Sequence, residues 1–353
     1  MSHAPRVPIQ RIKLASFEAL RGIAAITVLV HHLAIEAGTK QFIPHGYLAV
    51  DLFFAMSGFV MARAYSARLS AGMGVIRFTV LRLVRLYPLF LLGQMLGLGV
   101  MALYSYESRA LFKAFFMGSA ILPWPVYMGD VRVIFPLNDS SWSLFFELVI
   151  SVVFALVLSM LSVRVLLFLL AVNAMAMLAA LVHFGDLNIG WSLENMIGGI
   201  PRAGFSFFME VFLFKFAPKV KTGNAVPVFL LICFPLLLFI GVRAWWFDFL
   251  VVMLIFPAML FIAASWQPTG LLKRISFNLG RISYPLYIIH APILYWGWLV
   301  IDRNIWSPIL QAIAWGLVAT LALLISASLP IIYDEPVRRL FNRAINSSAQ
   351  NKN

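Results

Sequence analysis

The chain has 353 residues, of which 62% are hydrophobic and only 12% are charged, and its formal net charge is +13. Soluble domains contain roughly 45–50% apolar and about 25% charged residues, so this composition excludes a water-soluble fold. The apolar residues come in repeated stretches of roughly 17–25 residues, the length that an α-helix needs to cross about 30 Å of hydrocarbon. We therefore expect an all-α, polytopic integral membrane helix bundle, whose basic residues reflect membrane topology rather than nucleic-acid binding.

Ten apolar stretches follow one another along the chain, and each predicts a transmembrane helix. They cover approximately 20–36, 45–63, 86–104, 141–160, 164–184, 195–216, 225–242, 246–266, 282–301 and 306–332. The segment 110–128 is a further candidate for a re-entrant piece. With a cytoplasmic N-terminus, these spans leave nineteen Lys and Arg residues on the cytoplasmic side and six on the other. Cytoplasmic segments collect basic residues, so we expect about ten transmembrane helices with both termini in the cytoplasm.

The domain organisation follows from the same spans. Because no repeat and no Pro- or Ser-rich linker divides the chain, we expect a cytoplasmic tail over 1–16, one transmembrane domain over 17–335 and a second cytoplasmic tail over 336–353. The single cysteine, Cys233, excludes an intrachain disulfide. The six histidines are scattered, without thiols or carboxylates at ligand spacing, and this pattern predicts no metal site.

Ionisable residues inside a span tend to face the bundle interior or a water-filled cavity, so each is a candidate functional residue. In the first span, His32 follows Arg21 by eleven positions, which corresponds to about 1,100° of helical rotation and roughly 16 Å of rise. These side chains therefore share a face, with Arg21 at the cytoplasmic edge and His32 near mid-membrane, whereas His31 points elsewhere. A lone histidine in a membrane span is commonly a packing residue. Because His32 shares a face with Arg21, a packing role and a functional role are equally favoured.

The loop after the second span is the most basic part of the chain, and it ends with Arg82-Leu-Val-Arg85-Leu-Tyr87-Pro88 as the third span begins. Arginines three positions apart project from one side of a helical turn, and two guanidinium groups can bind one phosphate. A cytoplasmic polyanion is the implied ligand. An ordinary positive-inside segment or a contact with lipid headgroups explains the pair equally well.

Polar residues also occur in other spans. The second span has Asp51 near its start and a Ser57-Gly58 step in its middle, which close helix packing explains adequately. The fourth span begins at Ser140-Ser-Trp-Ser143 and places Glu147 within the membrane, where a carboxylate needs a donor or a cation. In the ninth span, Tyr287 and His290 are neighbours at i, i+3. Local spacing assigns no task to the remaining candidates, Glu18, Glu210 and Asp248.

Together these residues resemble the type 3 membrane acyltransferase family. The resemblance runs from about residue 14 to 340 and is carried, in the expected order, by Phe17-Glu18-Ala-Leu20-Arg21-Gly22 followed by His32, Asp51-Leu-Phe-Phe with Ser57-Gly58-Phe59, Arg82-x-x-Arg85-x-Tyr87-Pro88, Trp142-Ser143-Leu144-x-x-Glu147, and Gly280-Arg-Ile-Ser-Tyr284 with His290. Members of that family transfer acyl groups, usually acetyl, from cytoplasmic acyl-coenzyme A to hydroxyls of surface or secreted glycans, and some modify small molecules.

The resemblance implies a multi-pass O-acyltransferase of the bacterial inner membrane, acting in polysaccharide biosynthesis on a glycan or small-molecule hydroxyl. Its cofactor-like substrate would be acetyl-CoA or another acyl-CoA, without a metal. We expect His32 to act as general base near neutral pH, and the other candidate catalytic residues are Arg21, Glu147 and Asp51. Candidate donor-binding residues are Arg82, Arg85, Tyr87 and Ser57. Which of Glu18, Asp51 and Glu147 orients His32 or balances Arg21 stays open.

A second class of function fits part of the same pattern. A basic cytoplasmic mouth and polar residues at membrane depth also describe a transporter or flippase for an anionic or lipid-linked sugar substrate. The two classes differ in turnover, because a transporter leaves its substrate chemically unchanged.

Overall fold

The computed structural model describes residues 14–39, 42–104, 107–242, 244–301 and 306–350, and these are predominantly α-helical. Residues 1–13 of the predicted N-terminal tail and residues 351–353 lie outside the described part. The helices are α1 (Ala15–Glu36), α2 (Ala49–Ser70), α3 (Val75–Leu103), α4 (Ser108–Ser119), α5 (Ser141–Val157), α6 (Val163–Phe184), α7 (Gly199–Phe214), α8 (Ala225–Leu238), α9 (Trp245–Leu250), α10 (Phe256–Ser265), α11 (Gly270–Val300), α12 (Pro308–Leu329) and α13 (Glu335–Gln350). The predicted all-α class is therefore confirmed.

Strands are few and short. Strand β1 (Val126–Met128) pairs antiparallel with β2 (Val131–Val133) in a hairpin, and β3 (Lys221–Thr222) pairs parallel with β4 (Trp266–Gln267). Single π-helical turns over Val251–Ile255 and Pro330–Asp334 join α9 to α10 and α12 to α13. These two small sheets thus only connect loops at the ends of a helical bundle.

Eight helical stretches in the described residues have at least 18 residues and are apolar enough to cross a membrane. They are Ala15–Glu36, Gly46–Ser70, Val75–Leu103, Ser141–Met160, Val163–Phe184, Met196–Phe214, Trp245–Ser265 and Pro308–Phe341. The protein is therefore a multi-pass membrane protein. Helix α8, with 14 residues, is too short for this criterion and α11, with 31, is too polar, so ten spans and two cytoplasmic termini stay predictions.

Several helices extend beyond the apolar stretches that predicted them. Helix α2 continues to Ser70, α3 begins at Val75 and α11 begins at Gly270. The added turns contain Arg68, Arg77, Lys273 and Arg274. Hydropathy reports where a helix enters hydrocarbon, whereas backbone hydrogen bonding continues into water. Arg82 and Arg85 consequently lie well inside α3 rather than at its start, and the segment after Pro336, predicted as a polar tail, forms most of helix α13.

The connections between helices fall at two ends of the bundle. At the end where α1 begins, Ser16 donates a hydrogen bond to the Trp266 carbonyl and Arg281 pairs with Glu335 at 2.8 Å. We call this the basic end, because the basic turns of α2, α3 and α11 lie there. At the opposite, distal end, Arg132 hydrogen-bonds Glu194 at 2.8 Å and holds the pKa of that exposed carboxyl at about 2.

Helix α1 occupies the centre and packs closely against α11. A Cβ atom at Gly22 would overlap Leu279 of α11, and one at Gly280 would overlap the Glu18 carboxyl group. Glycine lets the two helix backbones approach. The α1–α11 contact thereby brings the first and the ninth predicted spans, both rich in candidate residues, against each other.

A buried ion pair fastens α2 to α7. Asp51 accepts hydrogen bonds from Arg202, at 3.1 Å from Nε and 2.5 Å from Nη2, and both side chains are fully buried. The guanidinium also donates to the Ile189 and Tyr47 carbonyls and lies 5.2 Å from the centre of the Trp142 ring. Every charge of the pair is therefore matched inside the bundle.

The segment 133–140 starts at the last residue of β2, is otherwise irregular, and runs between α3 and α11. Most of its residues are buried, and Asn138 donates from Nδ2 to the Ile288 carbonyl at 2.7 Å. Irregular backbone at membrane depth is tolerated where protein covers it, and here Gly93 and Gly97 of α3 make the space. The candidate re-entrant segment 110–128 forms most of α4 and strand β1, with α4 packed beside α3.

The first prediction concerns the close approach of α3 to the 133–140 segment. A Cβ atom at Gly97 would overlap the Leu137 carbonyl, so Gly97→Ala should destabilise the protein by about 1–3 kcal/mol through overpacking. Gly99→Ala is the matched control on the same helix, because its Cβ would meet only the Trp296 ring at 3.4 Å. Thermal unfolding in detergent checks this, and equal midpoints for the two variants would contradict the packing described.

The second prediction concerns the buried pair. Asp51→Asn should lower the free energy of unfolding by about 3–5 kcal/mol, because Arg202 is left buried without a counter-charge. Arg281→Ala, which breaks an exposed pair, should change it by less than about 1 kcal/mol. Urea titration of the detergent-solubilised protein measures both, and wild-type stability of Asp51→Asn would argue against a structural role for the pair.

Candidate functional site

The centre of the candidate site is His32 on α1. Its Nδ1 atom lies 4.0 Å from Asp139 Oδ2, and about a quarter of each side chain is accessible (26% and 27%). The His32 ring stands nearly perpendicular to the His290 ring, with 4.9 Å between ring centres. We call His32, Asp139, Ser140 and His290 the His32 cluster. The 4.0 Å separation between His32 Nδ1 and Asp139 Oδ2 exceeds a hydrogen bond, so Asp139 lies beside His32 without being bonded to it.

The second histidine of the cluster has a defined tautomer. His290 Nδ1 lies 3.1 Å and 2.8 Å from the carbonyl oxygens of Leu286 and Tyr287. Since carbonyls only accept, Nδ1 donates and Nε2 presents its lone pair towards Ser140 Oγ, 3.5 Å away. His290 is fully buried, so His32 is the histidine of this cluster that a substrate can reach.

A second group of polar residues lies nearer the basic end. Arg82 is buried, with Nη2 2.5 Å from Glu147 Oε1, and Ser57 donates to the same oxygen at 2.7 Å. The Nη1 atom of Arg82 lies 3.1 Å from the sulfur of Met61. The Nε atom of Arg82 has no hydrogen-bond partner within the described residues. Three helices, α2, α3 and α5, thus hold one arginine–carboxylate–serine group, which we call the Arg82 cluster.

Arg85 differs from Arg82 in exposure and pairing. Its side chain is exposed, and no carboxylate of the described residues lies within ion-pair distance. Arg21 lies 3.4 Å from Glu18, and both act electrostatically on Arg85, as do Arg82 and Glu147. Arg85 is therefore a cation open to an anionic ligand, with two arginines and two glutamates around it.

Polar side chains connect the two clusters along α5 and α11. Ser143 Oγ and the Tyr287 hydroxyl are 2.5 Å apart, and Tyr287 lies 3.5 Å from the Ser140 carbonyl oxygen. One turn towards the basic end, the Tyr284 hydroxyl donates to the Leu86 carbonyl of α3 at 2.6 Å. The protein between the two clusters therefore contains polar groups rather than a purely apolar core.

The predicted site residues fall into different places. Ser57, Arg82 and Glu147 form one cluster, with Arg21 and Arg85 beside it, while His32 lies further along α1. Asp51 is engaged by Arg202, and this geometry favours a structural role for it. The Tyr87 ring packs 6.2 Å from the Phe90 ring, among the apolar residues between α3 and α11.

Sequence reasoning missed Asp139, although it considered three other carboxylates as partners of His32. Asp139 lies between two predicted spans, so a search for ionisable residues inside spans passes over it. The signal was the polar pair Asn138-Asp139, directly before the Ser140–Ser143 motif. Arg202, the partner of Asp51, was missed as well, although it lies inside the predicted span 195–216.

This chain is similar to known proteins. A relative from Rhizobium radiobacter, described as "Protein 2 in picA locus", is 32% identical over 186 residues, which cover 47% of this chain and 94% of the relative. No solved structure matches significantly. A family model described as an acyltransferase domain matches residues 14–332, which include both clusters. The chain therefore belongs to the acyltransferase family that the sequence motifs resemble, and it is a membrane acyltransferase.

Proposed function

We propose that this protein is an O-acyltransferase that moves an acyl group, acetyl in the simplest case, from cytoplasmic acyl-coenzyme A to a hydroxyl of an extracytoplasmic glycan. The observation that carries the proposal is that one bundle holds both an exposed Arg85 near the basic end, without an ion-pair partner among the described residues, and an accessible His32 beside Asp139. The relative in a bacterium supports a bacterial inner membrane as the location.

The residues at the basic end fit an acyl-coenzyme A donor. Arg85 has no carboxylate partner among the described residues, and Arg82 keeps a buried Nε without one. Guanidinium groups bind phosphates through charge-assisted hydrogen bonds, so Arg85 would hold a phosphate, while Arg82, whose charge Glu147 balances, would fasten α3 to α5 beside it. From Arg21 to His32, α1 rises roughly 16 Å, a distance that an extended pantetheine arm spans.

His32 is the proposed general base. With Nδ1 facing Asp139, its Nε2 lone pair is free to take the proton of an acceptor hydroxyl. The hydroxyl oxygen then forms an ester bond to the acyl carbon, the carbon–sulfur bond breaks, and the leaving thiolate receives the proton from His32. Asp139 would stabilise the transient imidazolium, a contact that tightens when a substrate excludes water.

Membership of the acyltransferase family disfavours the alternative hypothesis that the protein is a transporter or flippase. It also differs in an observable way, because a transporter leaves acyl-coenzyme A intact. Consumption of acetyl-CoA by the purified protein therefore separates the two functions.

The third prediction tests the donor site. Arg85→Ala should weaken acetyl-CoA binding tenfold or more, because a hydrogen bond to a charged group contributes about 1.5–3 kcal/mol, and about 1.4 kcal/mol corresponds to a factor of ten. Arg77→Ala, which removes another exposed arginine of α3, is the matched control. Isothermal titration with the detergent-purified protein checks this. Equal affinities of the two variants would contradict a donor site at Arg85.

The fourth prediction tests the base. His32→Ala should lower acyl transfer by about 10²- to 10⁴-fold while leaving acetyl-CoA binding unchanged, and Asp139→Asn should cause a smaller loss. His183→Ala removes an exposed histidine at the distal end of α6 and serves as the control. Release of free thiol from acetyl-CoA measures the rate. Wild-type turnover in His32→Ala would exclude His32 as the base.

A further inference from the structure

A polar cavity at the distal end lies outside both clusters described above. Its volume is about 330 Å³, and it opens between the distal half of α1, the segment before α2, the turn after α6 and the start of α9. This volume is typical of small-molecule sites, which range over about 300–1,000 Å³. Its polar lining residues are His31, His45, Tyr47, Asp186, Asn188 and Asp248.

One wall of the cavity is a closed hydrogen-bond network. Asp248 accepts from His45 Nδ1 and from the Tyr47 hydroxyl, both at 2.8 Å, and from the Leu187 backbone N–H at 2.9 Å. His45 Nε2 lies 2.8 Å from the Val242 carbonyl oxygen. Both ring nitrogens of His45 thus have a partner, one on Asp248 and one on the Val242 carbonyl. The hydrogen-bonding atoms of His45 and the Asp248 carboxyl group are therefore already used within the wall.

The other polar groups of the cavity still have capacity, and most of it is for accepting. His31 Nδ1 donates to the Ile43 carbonyl at 3.0 Å, which leaves Nε2 as an acceptor. Asp186 Oδ1 accepts from the Asn188 backbone N–H at 2.9 Å. Its other oxygen has no hydrogen bond, and its charge has no cationic partner within ion-pair distance, among the described residues. Partial burial raises the pKa of Asp186, as expected for a carboxylate beside a concave surface.

An acceptor-lined cavity selects a ligand that is rich in donors. Phosphates and carboxylates are repelled by Asp186, whereas the hydroxyl groups of a neutral sugar ring can each donate to His31, Asp186 or Asn188. The position also fits the chemistry, because the His31 and His32 ring centres are 5.8 Å apart. A molecule in this cavity therefore lies one side chain away from the proposed base, on the side opposite Arg85.

We infer that this cavity is the acceptor subsite and binds a hydroxyl-rich, uncharged saccharide through His31, Asp186 and Asn188. The inference rests on the proposed function, because it supplies the hydroxyl that His32 deprotonates. Gly46 helps to shape the subsite, since a Cβ atom there would press on the His31 ring. The donor would thus approach His32 from the basic end and the acceptor from the distal end.

The test compares Asp186→Asn and Asn188→Ala with Asp130→Asn, a matched change of an exposed acid in the β1–β2 turn at the same end. The probe is a library of neutral oligosaccharides, with transfer from radiolabelled acetyl-CoA as one readout and equilibrium binding to the purified protein as the other. We expect both cavity variants to raise the KM for saccharide at least tenfold. Acetyl-CoA hydrolysis without saccharide should match that of the Asp130→Asn control.

Other results would either overturn the subsite or separate it from the proposed acyl transfer. Saccharide KM values equal to that of Asp130→Asn, or no binding of any library member by the wild type, would overturn the subsite. Loss of acetyl-CoA hydrolysis in the cavity variants would place these residues in the catalytic machinery and also overturn it. If the wild type binds saccharide and the cavity variants do not, but none consumes acetyl-CoA, the subsite stands and the proposed acyl transfer fails.

Discussion

A charge that is buried in a membrane protein must meet an opposite charge from another part of the chain, because water cannot solvate it there. In this bundle, Arg202 meets Asp51 and Arg82 meets Glu147, and each pair joins helices that are far apart in sequence. The two pairs hold α2 to α7 and α3 to α5. Helices α1 and α11 then bring the catalytic candidates against this fixed frame through close contacts at Gly22 and Gly280.

Matched pairs also explain which groups remain available for chemistry. Arg82 is occupied by Glu147, whereas Arg85, three residues later, is exposed and has no carboxylate of the described residues within ion-pair distance. In the same way His290 is fixed by two backbone carbonyls, while His32 keeps a free nitrogen and accessible surface. In both cases, one residue is used for structure and a second residue of the same type is left for a ligand. Sequence spacing alone does not show which residue has which role.

Much of the fold was predictable, because hydropathy identifies helices that cross hydrocarbon. It could not identify the polar turns of α2, α3 and α11, which are helical outside the apolar layer. The rotation of α1 correctly separates His31 from His32, since a regular helix fixes that angle. Partners across the bundle were not predictable: Asp139 reaches His32 through an irregular buried segment, and no local pattern encodes such a path. The motif that contains Asp51 led us to expect it among the catalytic residues, yet its carboxylate is paired with Arg202.

The irregular 133–140 segment divides the distal region into parts with different freedom to change in evolution. Its backbone fits between Gly97 and the Ile288 carbonyl, so an inserted residue there would shift Asp139 and Ser140 away from His32. The β1–β2 turn, a few residues earlier, is exposed, and no described residue packs over Gly129, whose positive φ of 64° is a local requirement of the turn. Related chains can therefore vary in length at this turn and acquire new surface without disturbing the reaction centre.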